Sequence, residues 1–144
     1  MGIVVGPTDW QIEEVDSNAV QIASLGDQIL PVGGYLICRN GGTAWIVAPN
    51  TSEVSRSWYC RNDAVTTATA CTGTNTWFVP TCSQLQNPGS NCRTYWGYST
   101  GRYWSSTQFD SIHARYVTPS SGGTASFQQK CIVMFVRAFR CVTY

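Results

Sequence analysis

Histidine and cysteine are the side chains that most readily turn a fold into a catalyst, and this chain distributes them unequally. It has one histidine, His113, against seven cysteines: Cys38, Cys60, Cys71, Cys82, Cys92, Cys131 and Cys141. Nucleophilic catalysis needs a base beside a hydroxyl or thiol. A lone histidine in a β-like segment is instead expected to be a packed or solvent-exposed residue. No two cysteines stand as CxxC, so neither a zinc ribbon nor a thioredoxin-type pair is offered. The odd count allows up to three disulfides with one thiol left over. The reading preferred here is a reduced set acting as small buried hydrophobes. Paired carboxylates for glycosidic chemistry would have to come from Glu53, Asp63, Asp110 or the N-terminal acids, and no spacing favours a pair. The glycine pieces VGG, NGG and SGG punctuate turns, and none fits the phosphate-loop pattern GxxxxGK. The chain is therefore expected to be non-enzymatic, with no metal and no cofactor.

Composition points the same way. Charged residues make up 12% of the 144, about half the roughly 25% of ordinary soluble domains. Thr, Ser, Asn, Gln and Gly must then cover the surface, which suits a packed assembly or a sugar-facing surface. Asp9, Glu13, Glu14, Asp16 and Asp27 stand in a first stretch without Lys or Arg, so the rest of the chain sets three acids against nine bases. Eight of those bases are Arg, which favours bidentate or stacked contacts over a diffuse cationic field. They are scattered, so no nucleic-acid partner is expected. No run approaches the ~18 apolar residues of a membrane span, and MGIVVGPTDW lacks the basic and apolar regions of a signal peptide. Export by the usual route is not expected, and the Asn50-Thr51-Ser52 sequon means nothing without one.

The elements that must position any site follow from local pattern. Residues 1–30 read as an acidic extended arm or one strand pair, with a short helix over 10–16 as the alternative, and residues 31–144 as one domain. GYLICRN and TAWIVAP form a hairpin through Asn40, Gly41 and Gly42. One helix is predicted within 51–70, capped by Ser52 or Ser55, with Val54, Trp58 and Ala64 on one face. The Thr-rich stretch after it reads as loop. Residues 77–79 read as a β run, Pro80 as a turn, and Thr81 as the cap of a short helix anchored by Leu85. TYWGYSTGRYWSST reads as another hairpin, and three β runs near 113–118, 124–128 and 131–140 close the chain.

These residues carry a resemblance. WFVPTCSQL fits WxxPTxxEL, YWSST is matched outright, HARYV fits the strand that follows it, and KCIVMFVRAFR fits a terminal KxxxxxVRxVR. Over Trp77 to Arg140, and more weakly over GGTAWIVAPNTSEVSRSWYCRNDA, the chain resembles a bacterial and phage domain of unknown function found at the ends of surface proteins. That domain is itself similar to the formylglycine-generating-enzyme-like branch of the C-type lectin fold, and the ending VRAFRCVTY looks like marine phage members. The resemblance implies a loop-rich α+β domain of C-type-lectin-like fold, with short antiparallel strands and one or two short helices. Gln84 departs from the family's Glu, which weakens any capping or ion-pair role there. The calcium tripeptides EPN, QPD and WND are missing, and APN at 48–50 and RND at 61–63 only echo them. Calcium-dependent sugar binding is not expected, since such a site wants several carboxylate oxygens.

The resemblance and the composition together assign two sets of residues. Trp77, Pro80, Thr81, Leu85, Trp104, Ser105, Ser106, Arg137 and Arg140 are framework, with the two arginines paired to a carboxylate such as Glu53 or Asp63. Tyr95, Trp96, Tyr98, Arg102, Tyr103, Gln108, Phe109 and Asp110 are the expected ligand face, because Tyr mixed with Ser, Gly and Asn makes adaptable binding surfaces. The expected function is that of a phage virion surface protein recognising a host-surface ligand, glycan or protein. The alternative is a decoration or connector protein of capsid or tail that docks through its arm. Other virion subunits are the expected partners, in a homo-oligomer for which tail and fibre proteins suggest a trimer.

Overall fold

The computed structural model describes residues 3–5, 20–30, 33–73 and 76–144. The best-specified local unit is the hairpin of β3 (Gly34–Asn40) and β4 (Thr43–Val47). Gly41 and Gly42 join them with φ of 60° and 85°, the left-handed pair that a two-residue hairpin loop demands and that glycine adopts without strain. β2 (Gln28–Leu30) adds antiparallel to β3, β1 (Ile3–Val5) adds parallel to β2, and β10 (Phe139–Thr143) pairs antiparallel with β4. This first sheet has the order β1-β2-β3-β4-β10. The second is built from β5 (Val54–Arg56), β6 (Tyr103–Gln108), β7 (His113–Thr118), β8 (Thr124–Gln129) and β9 (Met134–Val136), in the order β5-β9-β6-β7-β8. With α1 (Asp63–Thr72), α2 (Cys82–Gln84) and the helical residues 20–22 beside the two sheets, the fold is α+β.

Alternation along the strands feeds three apolar clusters. Leu36, Ala44, Ile46 and Val142 line one face of the first sheet and meet Val20, Ile29, Ala68 and Trp77. Its other face, through Ile37, Val47 and Phe139, meets Tyr103 and Val117 of the second sheet together with Leu85 and Trp96. The far face of the second sheet sends Trp104, Ala114, Met134 and Val136 against Trp58, Ala64 and Val79. Both sheets are thus packed on both faces, which fixes the register of every strand.

Residues 20–30 are built into this body rather than standing apart as an arm. Val20, Ala23 and Ile29 are buried in the first cluster, and Arg39 donates from Nε to the Val20 carbonyl at 2.8 Å and from Nη2 to the Ala23 carbonyl. The strand or helix expected over 10–16 lies outside the described residues.

Three expectations need correction. The single helix read within 51–70 is four elements: 3-10 turns at Asn50–Ser52 and Trp58–Cys60 flank β5, and α1 follows. Val54 pairs with Val136, so tertiary pairing overrides a helical spacing. Within α1, Thr67, Thr69 and Thr72 return their hydroxyls to carbonyls four residues back at 2.7–2.9 Å, and the helix ends at Gly73, φ 73°, at the start of the stretch read as loop. The run at 77–79 is one bridge, Phe78 to Phe139. The hairpin expected in TYWGYSTGRYWSST is a 3-10 turn at Arg93–Tyr95 and an irregular stretch, and Tyr103–Gln108 pairs onward with β7 instead.

The short helix after Pro80 is where expected. Thr81 Oγ1 accepts from the Gln84 N–H at 3.2 Å and Gln84 Oε1 accepts from the Thr81 N–H at 2.9 Å, a complete capping box. Gln therefore does the work that the resemblance assigns to Glu, since only a side-chain acceptor is needed. Thr81→Val should cost about 1 kcal/mol, read as a lower urea midpoint at unchanged m-value.

Candidate functional site

Eight side chains were expected to share one ligand face, and the structure separates them. Trp96 and Tyr103 are fully buried. The Trp96 indole donates to the Gly89 carbonyl at 2.9 Å, and its ring meets those of Tyr103 and Phe139 edge-on at 5.5 and 5.8 Å. Tyr95 and Tyr98 are half-buried against the same cluster. These four aromatics alternate with small polar residues because they fill an interior, so Trp96 and Tyr103 are core residues and no ligand reaches them. Arg102 stands elsewhere, on the Tyr116 ring at 5.2 Å. Gln108, Phe109 and Asp110 remain together at the tip of the β6–β7 hairpin.

Trp77, Leu85, Trp104, Ser105, Arg137 and Arg140 are buried, Ser106 donates its N–H to the Pro80 carbonyl at 2.8 Å, and Ser105 Oγ donates to the Arg115 carbonyl at 2.7 Å while accepting from the Thr107 N–H. The hydroxyls of Ser105 and Thr107, the latter accepting from the Cys82 N–H at 3.0 Å, thus satisfy backbone in a segment where the β6–β7 ladder is interrupted between Trp104 and Gln108.

Arg137 is the most demanding of them. Its guanidinium donates to the carbonyls of Ala48, Trp96 and Gly97 at 3.0–3.2 Å and pairs with Glu53 at 3.2 Å. Glu53 also accepts from Ser99 Oγ at 2.6 Å and from the Tyr103 hydroxyl. Burial, followed by the bond to Glu53, pushes the Tyr103 phenol well above its ordinary value, so it acts as a donor. The carboxylate's lone pairs are engaged within the fold, and the cluster is structural.

The hairpin tip is a different kind of place. Phe109 and Phe127 stack with centroids 4.2 Å apart and planes 5° from parallel, yet they are 44% and 45% exposed. Arg115 lies over the Phe109 ring at 4.9 Å, and His113 meets both rings edge-on. The loop under them is fully built. Asp110 Oδ1 accepts from the N–H groups of Ile112 and His113 at 2.8 and 2.7 Å, and from His113 Nδ1 at 2.9 Å. From below, Lys130, 4% exposed, donates to Gln108 Oε1 at 2.9 Å and to the Ser111 carbonyl at 3.1 Å. Its ammonium stands 4.6 Å from the Trp58 ring. Sequence reasoning missed Phe127, Arg115 and Lys130. The signal for Phe127 was a large apolar residue at an outward register position of a polar strand, TASFQQ.

Chemically, this arrangement can stack and hydrogen-bond. The His113–Asp110 pair has two phenyl rings beside it, where nucleophilic catalysis would want a hydroxyl or thiol. Among the described residues no three His, Cys, Asp or Glu side chains cluster as a metal site. All seven cysteines carry free thiols, but the expectation that they are buried is corrected. Cys60, Cys71, Cys131 and Cys141 are exposed and the others half-buried. Burial, then the neighbouring Cys38 thiol, pushes Cys92 up to about 11.

No protein-family model matches the chain, and no curated protein matches it.

Two outcomes test this description. Arg137→Met strands the Glu53 carboxylate in the interior and should cost about 3–5 kcal/mol, measured by urea denaturation. The Ile112 N–H, then the other groups facing Asp110, hold its carboxyl below its ordinary 3.8. Its support for the loop is therefore present above the unfolded-state value and lost as pH falls through the lowered one. A carboxyl-carbon NMR titration should place its midpoint below the ordinary value, and the Ile112 and His113 amides should lose hydrogen-exchange protection across that transition.

Proposed function

We propose that this chain is a non-enzymatic binding module of C-type-lectin-like fold, displayed on a phage virion, that recognises a host-surface glycan through the β6–β7 tip. One observation carries the reading: a stacked, parallel phenyl pair held open to water on a loop whose polar groups are already satisfied from beneath. Aromatic pairs of this size ordinarily bury their faces, and a rigid aromatic surface loses little entropy on binding. The apolar face of a pyranose covers such a ring. Arg115, with donors available around Phe109, and the exposed Gln108 amide are placed to bond the sugar's hydroxyls. The short strands, the loops and the WSST framework in the second sheet are compatible with the lectin-like resemblance.

The test is binding of the labelled protein to arrayed bacterial envelope polysaccharides. Phe109→Ala and Phe127→Ala should each weaken saturable binding by about 1–3 kcal/mol, the range of aromatic hot spots, with thermal stability little changed. Binding that survives both substitutions rejects the tip as the recognition surface. Absence of binding to any polysaccharide by the folded protein favours the connector role.

A further inference from the structure

The three acids beyond Asp27 are all engaged: Glu53 with Arg137, Asp63 with Arg56, and Asp110 with His113. The guanidiniums of Arg39, Arg61 and Arg93 donate to backbone carbonyls. Arg102 is placed otherwise. It is exposed, lies on the Tyr116 ring, and gives none of its donors to an acceptor among the described residues. It also lines a cleft of about 210 Å³, whose other walls are Ser55, Val133, Met134 and Phe135.

The position of Arg102 is set by the fold. Its carbonyl accepts from the Phe135 N–H at 3.1 Å, which pins its backbone to the cleft. The preceding Gly101 has φ of +150°, and a Cβ there would stand 3.0 Å from Cε2 of Phe135, so glycine lets the chain pass directly over that ring. A guanidinium whose donors meet no acceptor among the described residues therefore stands at the edge of a recess that combines the side chains of Val133, Met134 and Phe135 with Ser55. The recess is smaller than the ~300–1,000 Å³ of drug-sized sites, a size suited to one unit of a longer chain.

We propose that this cleft is a second binding site, apart from the hairpin tip, that takes one carboxylated sugar of an acidic glycan. The planar guanidinium fork matches a planar carboxylate in bidentate geometry. Phe135 and Val133 receive the apolar face of the ring, and Ser55 meets a ring hydroxyl. A single cation suits a singly charged uronate better than a phosphate dianion. The adjacent apolar walls suit a sugar ring better than a flexible acidic side chain.

The experiment titrates the full-length isotope-labelled protein with tri-galacturonic acid, with neutral galactotriose and with a triglutamate peptide, following amide and Arg Nε resonances. Arg102→Gln and Val133→Trp are measured in parallel, the second filling the cleft from a position 62% exposed. The expected result is a saturable shift of Ser55, Arg102 and Phe135 with the uronate, weaker by roughly tenfold or more with galactotriose or in Arg102→Gln. It should also be lost in Val133→Trp and unchanged in Phe109→Ala. Four outcomes overturn the proposal: no saturable shift with the uronate, equal binding of the neutral sugar, undiminished binding by Arg102→Gln, or a response to triglutamate in place of the uronate. Because Phe109→Ala reports on the tip alone, failure here leaves the tip reading standing, and the converse holds.

Discussion

The fold turns on one buried charge. The chain leaves the second sheet at Val136 and enters the first at Phe139, and Arg137 occupies the crossing with almost no exposure. Taking a guanidinium out of water costs several kcal/mol unless its donors are met. They are met by segments that nothing regular holds: the end of β4 at Ala48, the turn at Trp96 and Gly97, and the Glu53 side chain ahead of β5. Moving any of these would strand a donor or a carbonyl in the interior. One side chain therefore sets where four stretches of chain meet, and the Trp96 ring, 5.1 Å from the guanidinium, seats the central apolar cluster against it.

From that anchor the aromatic residues divide into two populations. Trp58, Trp77, Trp96 and Trp104 are buried, and each indole N–H is satisfied, at 2.8–3.0 Å, by a carbonyl or hydroxyl. Phe109 and Phe127 have no polar handle to satisfy, and the fold leaves them in solvent. The difference lies in what supports them. The chain's single lysine is a buried strut beneath the loop that carries Phe109, and it takes the side-chain and backbone oxygens that an exposed loop would leave to water. A loop ordered in this way presents its rings in one arrangement, which is what recognition by stacking requires.

Charge follows the same economy. With so few acids in the body of the chain, each carboxylate is drawn into the architecture: one braces the crossover, one caps the tip loop, and one pairs at the start of α1. The arginines outnumber them, and Arg102 and Arg115 lie on aromatic faces.

What the sequence by itself determined was whatever local chemistry dictates. The glycine pair that closes β3 onto β4, the Thr81 cap after Pro80, and the strands at 113–118 and 124–129 were legible because turn geometry, capping and alternation act within a few residues. The α+β class was legible for the same reason. Only the tertiary structure decided the rest. It split 131–140 between two sheets, made an edge strand of Val54–Arg56, and drew Trp96 and Tyr103 inward while leaving Phe109 and Phe127 outside. An aromatic residue between small polar ones reads alike whether it points into a core or into water. The choice rests on which surfaces lie opposite, and those come from segments far apart along the chain, as with Arg137 and Ala48, 89 residues apart.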